Sequence, residues 1–197
     1  MASRKCKNMK GKFSSITRGF ILRIVCAITT ICALVICLTF ASHARAYEIS
    51  GHKWSSSTII VGAYGDVSGT YRTALQQAID NYNQQTHVHL SIHNGGPIVA
   101  QVVYESHKDW AGLCERDGSR PPYRITWART KMNTRWMTSG TSVAKKRLVW
   151  LHELGHALGL NHTNNASTVM YFNADYSSFN GVQYLTRDDI NGINAQY

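Results

Sequence analysis

Residues 152–162 read HELGHALGLNH, and no other stretch of the chain restricts its folding so tightly. On a helix His152 and His156 lie one turn apart on one face, so both imidazoles can reach a single metal ion. Glu153 stands beside the first of them, where a carboxylate can take a proton from a metal-bound water. Gly159 can adopt the left-handed conformation that ends a helix. The chain can then turn and return His162 to the same ion as a third ligand. Three neutral imidazoles leave the fourth position of a zinc ion open for water, which separates a catalytic site from a closed structural one. The five-residue core also turns up by chance in unrelated proteins. The extended form, with Gly159 and His162 both in place, is specific.

The chain has 197 residues, enough for one domain of ordinary size. Its net charge of +10 is unevenly placed: residues 1–46 hold eight Lys/Arg and no acid, whereas the remainder holds 13 basic and 11 acidic residues. A nearly neutral domain without a basic stripe has little hold on phosphates, so nucleic acid is not expected as a partner. Arg4 to Arg23 form a positive flank, Ile24 to Phe40 an uncharged apolar run, and Ala44-Arg45-Ala46 an A-x-A cleavage pattern. The first reading is a signal peptide, 1–46, cut after Ala46. An uncleaved membrane anchor is the alternative. Either way the remainder, 47–197, is exported, and a membrane is met only through the N-terminal segment. Four of the five cysteines lie in the leader, so Cys114 has no internal partner for a disulfide.

Within 47–197, Thr58 to Ala63 reads as a first strand. Apolar residues from Tyr71 to Tyr82 recur at helical spacing, with Ser68 or Thr70 as cap. Val88, Leu90 and Ile92 alternate as a strand does, and Gly95-Gly96-Pro97 ends it. Ile98–Tyr104 and Tyr123–Ala128 are further strand candidates, separated by an irregular polar stretch at 105–122. Ser142–Leu160 is the histidine-bearing helix, with Val143, Leu148, Val149 and Leu151 on its buried side. Thr186-x-x-Asp189 is a capping box that opens a C-terminal helix. The expected fold is a single α/β domain of the α+β type: a twisted mixed sheet, the active-site helix, a second long helix and a C-terminal helix.

The HELGHALGLNH stretch resembles the zinc signature of the metzincin metallopeptidases. Met170, eight residues after His162 in Ser-Thr-Val-Met-Tyr, matches the methionine turn of that group, and Lys53-Trp54 and the segment 185–193 resemble its matrixin (matrix metalloproteinase-like) branch. The resemblance covers roughly 47–197 and is weakest between about 86 and 140. It implies the zincin fold and a zinc metalloendopeptidase. His152, His156 and His162 would hold one zinc ion, Glu153 would act as general base, Met170 would floor the site, and Tyr171 would shape the substrate pocket. Phe172 stands where the astacin type has its tyrosine ligand, so no further protein ligand is expected.

A structural calcium or a second zinc is not expected. The H-x-D pattern is missing, His87 and His89 read as solvated strand residues, and Asp109, Glu115 and Asp117 as a solvated loop. Nor is there a cysteine-switch motif, and Cys114 reads as an inert thiol. Asp189 should face inward, as cap and as brace for the turn around Met170, and Asp188 should face the new N-terminus at Tyr47. A secreted monomer acting on polypeptide substrates is the resulting expectation. Two rival readings stay open: a zinc-bearing binding module without activity, which has no chemical use for Glu153, and a membrane-anchored surface protein.

Overall fold

Five strands form one sheet in the order β2-β1-β3-β5-β4. They are β1 (Thr58–Ala63), β2 (His89–His93), β3 (Ile98–Val103), β4 (Gly112–Arg116) and β5 (Ala128–Asn133). Strands β1, β2, β3 and β5 run parallel, and β4 runs antiparallel to β5 along one edge. Helix α1 (Gly69–Gln85) makes the crossover from β1 to β2, helix α2 (Val143–Ala157) carries the HELGH core, and helix α3 (Arg187–Asn194) closes the domain. The computed structural model describes residues 47–118, 123–173 and 181–197, so the leader 1–46 and its cleavage position lie outside the described residues. Among the described residues no helix is long and apolar enough to cross a membrane.

The α+β architecture read from the sequence is the observed one, with two corrections in the sheet. Tyr123–Trp127 is irregular apart from a bridge between Arg124 and Lys53, and the strand begins only at Ala128. The polar stretch 105–122 contains β4. Both strands escape a search for apolar alternation because each offers one thin inward row. In β5, Ala128, Thr130 and Met132 are buried, while Arg129 and Lys131 reach outward to Glu115 of β4. Charged side chains facing one another across the pair stand where a sequence search expects apolar ones.

Helix α2 is a core element. Leu148, Val149, Trp150, Leu151 and Leu154 are buried, and so are its charged residues Lys146 and Arg147. Full burial of each large apolar side chain is worth about 1.5–3 kcal/mol, which holds the helix between α1 and the sheet. The buried cations are met by neutral acceptors. Lys146 Nζ donates to Thr70 Oγ1 at 2.8 Å and to the Ser139 and Thr141 carbonyls, and Arg147 donates to Gln77 Oε1 and the Gln183 carbonyl. Ser142 caps the helix, its side chain accepting from Lys145 N. Ser68 occupies the cap position of α1 without a side-chain bond to the helix.

Gly155, between the two helical histidines, is where the methionine turn approaches the helix. A Cβ there would meet Met170 Sδ and would stand 3.1 Å from Tyr82 Oη. We expect Gly155→Ala to destabilise the domain, although alanine improves helix propensity by roughly 1 kcal/mol. Overpacking against the Met170 sulfur should outweigh that gain and leave a net loss of about 1–2 kcal/mol in urea denaturation.

Candidate functional site

The last turn of α2 ends in two hydrogen bonds that hold Gly159 at φ +100°: Leu160 N donates to Gly155 O at 2.9 Å and Gly159 N to His156 O at 3.0 Å. This is the Schellman arrangement, which needs a residue at ease in the left-handed region. Outside the helix, Trp54 Nε1 donates to Ala157 O at 2.8 Å and Tyr197 Oη to Leu158 O at 3.0 Å, so the terminal carbonyls that lack helical partners are satisfied. The N-terminal segment pairs with the same turn, Ser50 N donating to Gly159 O and Asn161 N to Glu48 O.

The turn returns His162 to the helix. The Nε2 atoms of His152, His156 and His162 lie 3.0–3.1 Å from one another. Backbone carbonyls settle two of the tautomers: His152 Nδ1 donates to Val169 O at 2.7 Å and His156 Nδ1 to Leu160 O at 2.8 Å. Both Nε2 atoms are therefore lone-pair acceptors aimed at one point, an arrangement that is repulsive without a positive centre. Tetrahedral zinc with ligand distances near 2.0–2.1 Å sets its nitrogens about 3.3–3.4 Å apart, close to the spacing observed. The donor set fits a zinc ion. Burial holds His152 at about 3, helped by the charge of His156, and His156 at about 4; it also lowers His162. All three imidazoles are thus neutral near pH 7 and available as ligands.

Glu153 is buried beside His152, against the Gly112 main chain of β4, and burial pushes its carboxyl up to about 8. A cation held by the three imidazoles would oppose that shift. All four side chains line one cavity of about 770 Å³ between β4 and α2. Trp110, Trp136, Met137 and Val149 line it too. A second cavity of about 770 Å³ lies at the C-terminal residues, beside Lys53 and Arg124, and contains none of the three histidines.

Met170 is buried beneath the helix, its sulfur facing Gly155. Tyr171 is half-buried and stacks on Phe172 at 4.5 Å, and it is Phe172 and Asn173 that line the cavity. Asp189 faces inward. It accepts from Val169 N (3.0 Å), Met170 N (3.2 Å), Thr186 N (2.9 Å) and Thr186 Oγ1 (2.6 Å), so the capping box and the brace for the turn are one carboxylate. Asp188 meets Asn165 Nδ2 at 3.4 Å, and Tyr47 packs on α3 at Gly192.

His89 and Asp109 are not drawn into any cluster with the three histidines. Among the described residues, that trio is the one group of three or more metal-ligating side chains within reach of a common ion. Glu115 and Asp117 are engaged with β5 and with the Thr126–Trp127 backbone. Cys114, on the cleft strand near Glu153, has its thiol pushed far up by burial, so it stays protonated. Sequence reasoning missed the wall formed by Trp110, Gly112, Trp136 and Met137. Its only local signal is a pair of tryptophans in polar surroundings.

A mixed sheet over a histidine-bearing helix, a left-handed turn to a third histidine and a buried methionine beneath them match the metzincin arrangement, and the three histidines could hold a metal ion. The sequence profile of the Matrixin family matches residues 83–197, and the chain belongs to that family. Among its relatives are a putative matrix metalloproteinase of Spodoptera frugiperda ascovirus 1a, 48% identical over 48 residues, and macrophage metalloelastase of Oryctolagus cuniculus, 46% identical over 50 residues. Stromelysin-2 of Rattus norvegicus is 44% identical over 59 residues. These matches cover 24%, 25% and 30% of this chain, and only 12%, 11% and 12% of the three relatives.

We expect Asp189→Ala to cost roughly 3 kcal/mol or more, because a charged acceptor is withdrawn from buried N–H groups that have no other partner. Asp188→Ala should cost only ~0.3–1 kcal/mol, as a first-turn acid does. Chemical denaturation of the two variants measures the difference.

Proposed function

We propose that the chain is a secreted zinc metalloendopeptidase, with 1–46 as leader or anchor and 47–197 as catalytic domain. The observation that carries this reading is the convergence of three imidazole Nε2 atoms within 3.1 Å beside a buried carboxyl in an open cleft. The names of relatives such as the putative matrix metalloproteinase and macrophage metalloelastase support the same reaction class. Extracellular placement rests on the leader pattern in the sequence.

His152, His156 and His162 would hold the ion. Zinc bound there supplies Lewis acidity, which acidifies water and polarises a carbonyl. Glu153 takes the proton of the attacking water on a carboxylate oxygen and delivers it to the leaving amine nitrogen. A cation held by the three imidazoles opposes the upward push of burial on that carboxyl and favours the ionised form that the first transfer needs. Strand β4 is the sheet edge nearest the histidines, and its free side can take up an extended peptide by backbone hydrogen bonds. One substrate side chain would enter the pocket beside Val149 and Met137, with Tyr171 supporting its wall through Phe172.

Glu153→Gln should keep zinc and fold while peptide hydrolysis falls by roughly 10²–10⁴-fold. Turnover near the parental rate would overturn the assignment of the base.

Elemental analysis of the parent should give about one zinc per chain. His152→Ala, His156→Ala and His162→Ala should each lose most of it, since two protein ligands are too few for a catalytic zinc site. A full equivalent of zinc retained in any of the three would place the ion elsewhere.

A further inference from the structure

Arg116 is a half-buried cation at the end of β4, and no carboxylate among the described residues forms an ion pair with it. Its two acidic neighbours are occupied. Glu115 pairs with Lys131 at 3.0 Å and Arg129 at 3.7 Å, and Asp117 accepts from Thr126 N, Thr126 Oγ1 and Trp127 N. Arg116 NH1 lies 3.2 Å from His52 Nδ1. A guanidinium only donates, so His52 accepts through Nδ1 and carries its hydrogen on Nε2. That partner is an imidazole and not a carboxylate, so no anion among the described residues is paired with the charge of Arg116.

Its position gives the charge a use. Arg116 and Cys114 border both the cleft that holds the three histidines and an adjoining cavity of about 710 Å³ lined by His52, Trp127, Arg129 and the already engaged carboxylates of Glu115 and Asp117. The cleft therefore continues along β4 past the histidines, and Arg116 stands at the junction. Arg129, on the far side, is already paired with Glu115 at 3.7 Å and lies over the Trp127 ring, so Arg116 is the cation left for a ligand. An extended peptide on the edge of β4 advances about 3.3 Å per residue, with alternate side chains turned into the cleft. A residue opposite Arg116 is thus about 13 Å along from one opposite Gly112.

We propose that Arg116 is a specificity residue that receives an acidic side chain of the substrate, a few residues to one side of the scissile bond. The planar guanidinium fork matches a carboxylate in two-point geometry, and partial burial strengthens the pair relative to one in open water. This rests on the peptidase reading above, but recognition at Arg116 can be read without turnover.

Peptides with Glu, Gln or Lys placed in turn at each position around the scissile bond are offered to the zinc-loaded full chain. At one position Glu should exceed Gln by roughly tenfold in kcat/KM, mostly through KM, the effect of one charge-assisted hydrogen bond. Arg116→Gln should bring that ratio close to one, Arg116→Lys should retain part of it, and Arg116→Glu should turn the preference to Lys. The same peptides, bound to the Glu153→Gln chain and followed by fluorescence anisotropy, should show the same order. A Glu/Gln ratio near one at every position, or a ratio untouched by Arg116→Gln, overturns the proposal. If nothing is cleaved while binding keeps an Arg116-dependent preference for Glu, the peptidase reading fails and the assignment of Arg116 stands.

Discussion

A single buried carboxylate links the C-terminal helix to the three converging histidines. Asp189 accepts from the Val169 and Met170 amides, and the carbonyl of the same Val169 accepts from His152 Nδ1. The cap of α3, the methionine turn and the first histidine form one connected chain of hydrogen bonds. Each bond fixes the next: the anchored turn presents its carbonyl, the carbonyl selects the imidazole tautomer, and the tautomer directs the Nε2 lone pair into the cleft. His156 is oriented in a parallel way by Leu160 O, a product of the left-handed turn at Gly159. Two unrelated pieces of backbone thus aim two rings at one point.

Burial of α2 is what makes those hydrogen bonds effective. In a low-dielectric surround a charged imidazole is costly, so the histidines are neutral, and a lone carboxyl such as Glu153 keeps its proton to higher pH. The same surround would penalise Lys146 and Arg147. Neutral oxygens therefore surround them, and their helix tethers the loop at 139–141 and the chain at Gln183.

The cleft wall is a sheet edge, and its chemistry is polar. Glu115 faces Lys131 and Arg129 across the β4–β5 pair, so the outer side of the edge carries ion-paired charges. Arg116, one residue on, points toward the cleft and finds a histidine in place of an acid. The period-two alternation of a strand separates an ion-paired row from a cation without an ion pair among the described residues.

Much of the candidate metal centre was legible in the sequence because its determinants are local. A four-residue spacing on a helix, a glycine where the helix must stop and an eight-residue step to a methionine are all short-range facts. So are the capping box at Thr186 and Asp189 and the long helix of residues 69–85. The inward role of Asp189 followed from the family resemblance, and the backbone bears it out. Strands β4 and β5 were not legible, nor was the wall they build, because their stability comes from cross-strand charge pairs and from burial against α2. Those contacts join residues far apart in the chain. Whether a residue such as Arg116 is a solvated surface charge or a cation inside a cleft is likewise a property of what lies opposite it. Only the tertiary arrangement, which brings His52 and the histidine helix beside the end of β4, decides that.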